Sequence, residues 1–168
     1  MEILNLQASA ESLVKQLAGQ LLETESYLCC AESCTGGLLA KLCTDLEGSS
    51  AWFERGFVTY SNLSKQQMLA VDQQTLIDHG AVSEATARQM AAGALANSAA
   101  DLAVAITGIA GPGGGSPDKP VGTVCFGFAT KNGPTKTVTQ RFDGDRDQVR
   151  WQSAVYALQQ LVKMNSKK

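Results

Sequence analysis

Apolar positions at helical and strand spacing divide this chain into alternating elements. Leucines and a valine recur every three or four residues between 8 and 24, which predicts an amphipathic opening helix. Short apolar or β-rich runs predict strands at 27–31, 53–60 and 102–107. Further helical patterns, with polar connections between them, span about 34–46, 61–69, 71–79, 83–100 and 145–164.

Two further β-rich segments predict a hairpin late in the chain. They span 121–130 and 135–142, and the turn sequence Lys131-Asn132-Gly133-Pro134 separates them. Strands that alternate with helices favour parallel pairing, whereas a hairpin must be antiparallel. We therefore expect an α/β fold, a three-layer α/β/α sandwich with a mixed, mostly parallel sheet, formed by residues 1–168 as one domain.

The composition of the chain excludes several classes of function. The 168 residues are 44% hydrophobic, enough for a sizeable core, and the net charge of −2 gives no reason to expect nucleic-acid binding. No apolar run reaches the length of a membrane span, and the first residues lack the pattern of a signal peptide. Five cysteines on apolar or helical positions favour reduced thiols and a cytoplasmic protein.

The segment Ala31-Glu32-Ser33-Cys34-Thr35-Gly36-Gly37 joins a predicted strand to a predicted helix. It places Ser33 where unpaired backbone N–H groups and the positive end of a helix dipole gather. A hydroxyl nucleophile needs such a place, because its attack on a carbonyl creates an oxyanion. N–H groups from Cys34 to Gly36 are then the expected oxyanion donors, and Cys34, Thr35 and Gly36 are candidate substrate-binding residues. Helix capping by Ser33 or Thr35 is the alternative interpretation.

A nucleophilic serine needs a base, and the chain offers a histidine and lysines. His79, the single histidine, ends a predicted helix, where interaction with the helix dipole accounts for it. Lys65 follows the strand 53–60, and with Asn62 as helix cap it takes the third helical position. A cation is unfavourable there, so this position favours the neutral amine that a base requires. Tyr60 adds a hydroxyl that could relay a proton or hold the lysine, although a solvated lysine and an amphipathic tyrosine remain alternatives.

A glycine-rich loop, 108–120, follows the strand 102–107. Four glycines within 111–115 let the backbone approach a ligand and present N–H groups to an anion. The candidate substrate-binding residues here are Thr107, Gly108, Gly111, Gly113 and Gly114. Arg146, at the start of the last predicted helix, either binds phosphate or pairs with Asp143 or Asp147. A plain surface loop is the alternative for the glycine-rich segment.

Several of these segments resemble one known family. They are Ala31–Gly37, Gly48–Phe53 with the stretch to Asn62, Gly80–Ser83, Thr107–Pro112 and Lys119–Val124. In this order, and over nearly the whole chain, they look like the CinA C-terminal family, and the chain is similar to the stand-alone members of that family.

The resemblance implies an amidase that hydrolyses nicotinamide mononucleotide to nicotinic acid mononucleotide and ammonia. It implies a serine nucleophile assisted by lysine and tyrosine, which map onto Ser33, Lys65 and Tyr60, with no metal and no organic cofactor. The implied partner is a small nucleotide, not nucleic acid or membrane, and a homo-oligomer is left open. The rival functions are a non-catalytic nucleotide-sensing or partner-binding module related to competence or the DNA damage response, as the family name suggests, and a serine amidase with another substrate.

Overall fold

The computed structural model describes residues 2–166. Its helices are α1 (Ile3–Glu23), α2 (Leu38–Thr44), α3 (Asn62–Leu69), α4 (Gln73–His79), α5 (Glu84–Ala96) and α6 (Arg146–Met164), with a short 3-10 helix at Ser49–Ala51. Its strands are β1 (Leu28–Glu32), β2 (Phe53–Val58), β3 (Leu102–Gly108), β4 (Thr123–Thr130) and β5 (Lys136–Arg141). No helix between residues 2 and 166 has both the length and the apolar character needed to cross a bilayer.

The strands form one sheet in the order β2-β1-β3-β4-β5. Strand β1 pairs in parallel with β2 and β3, while β4 is antiparallel to both β3 and β5. Within this sheet β4 therefore runs against the direction that the other strands share. The mixed, mostly parallel sheet and the late hairpin expected from the sequence are confirmed.

Helices cover both faces of the sheet and create its three layers. On one face, large side chains such as Leu28, Ile106 and Phe126 pack against α1, α2 and α6. On the other, small side chains such as Ala31 and Ala105 pack against α5. Small residues allow this helix to approach the strands closely, so each face has its own buried core.

Element ends are where the sequence prediction needs correction. Helix α1 begins at Ile3, five positions before the predicted start, because Leu6 is buried in the core. Helix α2 begins at Leu38, after a turn that includes Gly37 with φ of 101°, a conformation that favours glycine. Strand β2 ends at Val58. Such shifts arise because tertiary packing and turn geometry set the ends of elements.

Candidate active site

A cleft of about 250 Å³ lies beyond the carboxyl ends of the parallel strands. Ligands of open α/β sheets bind in this position. The residues lining it are Ser33, Cys34, Tyr60, Asn62, Lys65, Ala81, Val82, Thr107, Gly108, Ala110 and Arg146. The cleft thus joins the turn after β1, the segment after β2 and the end of β3 to the first residue of α6.

Backbone hydrogen bonds hold Ser33 between β1 and β3. Its N–H donates to the carbonyl oxygen of Ile106 at 2.9 Å, and its own carbonyl accepts the N–H of Gly36 at 3.0 Å. The residue is nearly buried. Ser33 is therefore held in place by its backbone, so its hydroxyl is not needed to anchor the turn and faces the chemistry of the cleft.

The carboxylate of Glu32 occupies the first amides of α2. Its two oxygens accept the N–H groups of Leu39 at 2.8 Å and of Ala40 at 3.0 Å, deep in the protein. We expected free amides of the helix to face Ser33, but the Leu39 and Ala40 amides are already bonded to Glu32. The backbone N–H groups of Cys34 and Thr35 make no hydrogen bond to another residue in the part of the chain described. The expected oxyanion donors therefore narrow to these two, because Gly36 donates to Ser33.

Lys65 is buried with its amine beside the Ser33 hydroxyl. The Nζ lies 3.1 Å from Ser33 Oγ and donates to the carbonyl oxygen of Thr59 at 2.9 Å. No carboxylate within residues 2–166 lies at ion-pair distance from it. Burial lowers the pKa of Lys65, since desolvation disfavours the charged ammonium. Burial and the lack of a carboxylate partner among the described residues therefore favour the neutral amine more than they would for a solvent-exposed lysine.

The local cause of this placement differs from the predicted one. Ser61, not Asn62, caps α3, and Ser61 and Ser64 form a reciprocal capping box. Because α3 begins at Asn62, Lys65 occupies its fourth position, not the third. Burial is therefore the main cause of the lowered pKa, in place of the helix-dipole effect that the sequence suggested.

Cys34 lies beside Ser33 in the cleft, which raises the question of which side chain is the nucleophile. Burial and the nearby Glu32 carboxylate raise the pKa of the Cys34 thiol to about 12. A thiol is a strong nucleophile only as the thiolate. Lys65 also contacts the serine hydroxyl, so the geometry favours Ser33.

Tyr60 and Arg146 meet at the edge of the cleft. The Arg146 guanidinium donates to the Tyr60 hydroxyl and to the carbonyl oxygen of Gly111, each at 2.9 Å. Neither Asp143 nor Asp147 pairs with Arg146 in the described structure. The hydroxyl of Tyr60, an exposed residue, is thus bonded to Arg146 and makes no hydrogen bond to Lys65 or Ser33 among residues 2–166.

The other predicted ligand residues divide between the cleft and its surroundings. Thr107 and Gly108 line the cleft, and Thr107 Oγ1 donates to the carbonyl oxygen of Ala81 at 2.8 Å. The Thr35 side chain is fully buried behind the turn, and its hydroxyl has no partner among the described residues. Gly113 and Gly114 are exposed in the glycine-rich loop, outside the set that lines the cleft.

Two further assignments concern His79 and metal ions. His79 ends α4, where its carbonyl oxygen accepts the Lys119 amine at 2.7 Å, and it does not line the cleft. The described structure contains no cluster of three His, Cys, Asp or Glu residues arranged to hold a metal ion.

Sequence reasoning missed two residues that shape the Ser33 turn. Glu32 was visible within the motif, but nothing local indicated that its carboxylate would cap α2. Arg150 of α6 donates to the carbonyl oxygens of Cys34 and Thr35 at 3.1 and 3.0 Å. More than a hundred residues separate these partners in sequence, so only the tertiary structure reveals the contact.

Comparison with known proteins agrees with this fold. Residues 10–165 match the model of the CinA C-terminal domain. The chain therefore belongs to that family, as its motifs led us to expect.

Two curated relatives are each named nicotinamide-nucleotide amidohydrolase PncC. The protein of Enterobacter agglomerans is 59% identical over 133 residues, which cover 79% of this chain and 81% of the relative. The protein of Escherichia coli (strain K12) is 56% identical over 149 residues, covering 88% and 90%. Among solved structures, the competence/damage inducible protein CihA from Agrobacterium tumefaciens matches with a TM-score of 0.92 and 45% identity, covering 94% of this chain and 96% of that chain.

Proposed function

We propose that this chain is an amidohydrolase that converts nicotinamide mononucleotide to nicotinic acid mononucleotide and ammonia. The observation that carries the proposal is the buried Lys65 amine 3.1 Å from the Ser33 hydroxyl, in a cleft at the carboxyl ends of the parallel strands. The PncC relatives, with 56–59% identity over most of the chain, support the substrate.

In the first step, Ser33 attacks the carboxamide carbon. Neutral Lys65 takes the hydroxyl proton as the Oγ–C bond forms, and the resulting oxyanion accepts hydrogen bonds from the Cys34 and Thr35 amides. The C–N bond then breaks, and the Lys65 ammonium returns its proton to the departing nitrogen, which leaves as ammonia. The product of this half-reaction is an ester between Ser33 and the pyridine carboxyl group.

In the second step, water hydrolyses that ester. Lys65 is neutral again, so it accepts a proton from the water as oxygen attacks the acyl carbon. Collapse of the tetrahedral intermediate expels Ser33 Oγ, which recovers its proton from the Lys65 ammonium. The atoms balance to one carboxylic acid and one ammonia for each amide and water consumed.

The edge of the cleft has the chemistry to bind the nucleotide. Arg146 offers a guanidinium, a group suited to phosphate, and its contacts with Tyr60 and Gly111 hold it beside the glycine-rich loop. We assign Tyr60 to the same task of orienting Arg146 and the substrate. Binding of the remote phosphate then positions the carboxamide against Ser33.

The decisive assay measures ammonia and acid product from nicotinamide mononucleotide by purified protein. We expect both products in equal amounts, with nicotinamide riboside and free nicotinamide much poorer substrates. Nucleotide binding without ammonia release would instead support the rival non-catalytic sensor. Ammonia release from other carboxamides, but not from the mononucleotide, would identify an amidase with a different substrate.

A further inference from the structure

Arg150 makes an unusual pair of contacts with the turn that follows Ser33. From α6, its Nε donates to the carbonyl oxygen of Cys34 at 3.1 Å and its Nη2 donates to that of Thr35 at 3.0 Å. The side chain is half-buried, and it does not belong to the set lining the cleft. One guanidinium thus fixes two successive carbonyls directly after the candidate nucleophile.

The orientation of these carbonyls determines where the neighbouring N–H groups point. The peptide bonds between Ser33, Cys34 and Thr35 are trans, so each N–H is directed opposite to the carbonyl of the same peptide unit. The Ser33 carbonyl is held by Gly36, which orients the Cys34 N–H. The Cys34 carbonyl is held by Arg150, which orients the Thr35 N–H.

Three amides of the turn, those of Cys34, Thr35 and Gly37, donate to no other residue of the described chain. Cys34 lines the cleft and the buried Thr35 follows it directly, so these two are the donors nearest the candidate nucleophile in sequence. The Glu32 carboxylate occupies the Leu39 and Ala40 amides of α2. Neither the Cys34 nor the Thr35 N–H bonds to another residue of the chain as described. If the Cys34–Thr35 peptide rotated by half a turn, a carbonyl oxygen would replace a donor and repel a developing negative charge.

We infer that Arg150 is a positioning residue, which holds the Cys34–Thr35 peptide in the orientation that stabilises the oxyanion. In the described structure Arg150 does not line the cleft and makes no hydrogen bond to Ser33 Oγ, so it acts through the Cys34 and Thr35 carbonyls. The inference rests on the proposed function in taking Ser33 as the nucleophile, but it does not depend on which carbonyl compound Ser33 attacks.

A purely structural role for Arg150 is the alternative, and the chain supplies a matched control. Arg88 of α5 also donates to a backbone carbonyl, that of Thr135, and to the Thr137 hydroxyl. It ties a helix to the β4–β5 hairpin, outside the cleft. Arg88→Ala therefore removes a comparable arginine–carbonyl contact without touching the Ser33 turn.

The experiment compares wild type, Arg150→Ala, Arg150→Lys and Arg88→Ala in two assays. The first measures kcat and KM for ammonia release from nicotinamide mononucleotide. The second measures acylation of Ser33 by p-nitrophenyl acetate, located by mass spectrometry of the modified peptide, and needs no nucleotide. Each assay is repeated with guanidinium chloride at a non-denaturing concentration, and the thermal midpoint of every variant is recorded.

Arg150→Ala should lower kcat and the acylation rate about 100-fold, the size of effect seen when one oxyanion donor is lost. Its KM should stay within about twofold of wild type, because ground-state binding does not use this peptide. Arg150→Lys should retain part of the rate, and added guanidinium should restore part of the Arg150→Ala rate. Arg88→Ala should match wild type within about twofold and show no rescue.

Equal rates for Arg150→Ala and Arg88→Ala would overturn the inference, as would a loss confined to KM or to the thermal midpoint. If Arg150→Ala does not fold, Arg150→Lys serves as the test variant, and a loss in kcat with little change in KM supports the inference. If the wild type releases no ammonia but is acylated at Ser33, and Arg150→Ala slows that acylation, the proposed function fails and the role of Arg150 stands. If Ser33 reacts in neither assay, both proposals fail.

Discussion

The Ser33 turn and the glycine-rich loop border one cleft but are held in opposite ways. Contacts to β3, α2 and α6 fix the turn: Ser33 bonds to Ile106, Glu32 to α2, and Arg150 to Cys34 and Thr35. In the loop, residues 112–118 are exposed, and the side-chain contacts to other elements lie at its two ends.

This difference teaches how the site divides its tasks. A reacting hydroxyl and its base need positions held to a fraction of an ångström, which a buried and hydrogen-bonded backbone supplies. A loop anchored at its ends can instead contact the outer part of a ligand. The proposed function therefore assigns chemistry to the turn and nucleotide recognition to the loop and Arg146, and four predictions test that division.

The largest effect should come from Ser33→Ala. Loss of the nucleophile should reduce kcat at least about 1,000-fold, by comparison with serine hydrolases. The thermal midpoint should change little, because the Ser33 backbone bonds to Ile106 and Gly36 remain. Ammonia release measures the rate. If this variant releases ammonia at the wild-type rate, Ser33 is not the nucleophile.

Lys65→Met should reduce kcat about 100- to 10,000-fold, the contribution expected of a general base. Methionine fits the buried space but cannot accept the proton of Ser33. Lys65→Arg should also be inactive, since arginine does not give up its proton near neutral pH. His79→Ala is the control and should keep substantial activity. If His79→Ala is inactive and Lys65→Arg is active, the base has been assigned wrongly.

The lowered pKa of Lys65 predicts a defined pH dependence. The rate constant kcat/KM should fall about tenfold per pH unit below that pKa, because the protonated amine cannot act as base. Stability should follow the same sign: the unfolded lysine, with a pKa of about 10.4, binds a proton that the folded one lacks, so stability rises with pH between the two pKa values. The contribution of Lys65 to this pH dependence is the free energy of unfolding of the wild type minus that of Lys65→Met, measured across the pH range. A difference that does not change with pH would show that Lys65 is not neutral in the folded protein.

The smallest effects belong to nucleotide recognition. Arg146→Ala should reduce kcat/KM for the mononucleotide about 10- to 100-fold, the cost of a lost charged hydrogen bond, and that for the riboside about twofold. Gly113→Val and Gly114→Val should raise KM for the mononucleotide about two- to tenfold by blocking approach to the loop. Gly48→Val is their control, because Gly48, like Gly114, has a positive φ, here 81°, and, like Gly113, has open space around it. If these variants lose kcat/KM equally for the mononucleotide and the riboside, neither Arg146 nor this loop binds the phosphate.

The sequence was sufficient to predict the fold class and the succession of helices and strands along the chain. Hydrophobic spacing predicted β1 and β3, and the Asn132-Gly133 turn predicted the β4–β5 hairpin, because these signals are local. The predicted starts of α1 and α2, at residue 8 and at about residue 34, were wrong. The helices begin at Ile3 and Leu38, because tertiary packing and turn geometry determine where they start.

The site was only partly accessible from sequence. The Ser33 turn could be located because a strand, two glycines and a helix adjoin it. Lys65 was the candidate base because it follows a strand at the start of a helix, and the family resemblance supported that choice. Its approach to Ser33, 32 residues away in sequence, is a tertiary contact that no local pattern shows. The roles of Glu32 and Arg150 could not be predicted, because a side chain that holds a remote backbone group leaves no periodic signal.

Capture of the acyl group tests the central claim, that Ser33 carries a covalent intermediate. The protein is given nicotinamide mononucleotide with hydroxylamine, which competes with water for an acyl-enzyme. We predict the hydroxamate of nicotinic acid mononucleotide in proportion to the hydroxylamine added, with none formed by Ser33→Ala. Continued ammonia release that yields only the acid, at every hydroxylamine concentration, would contradict the account.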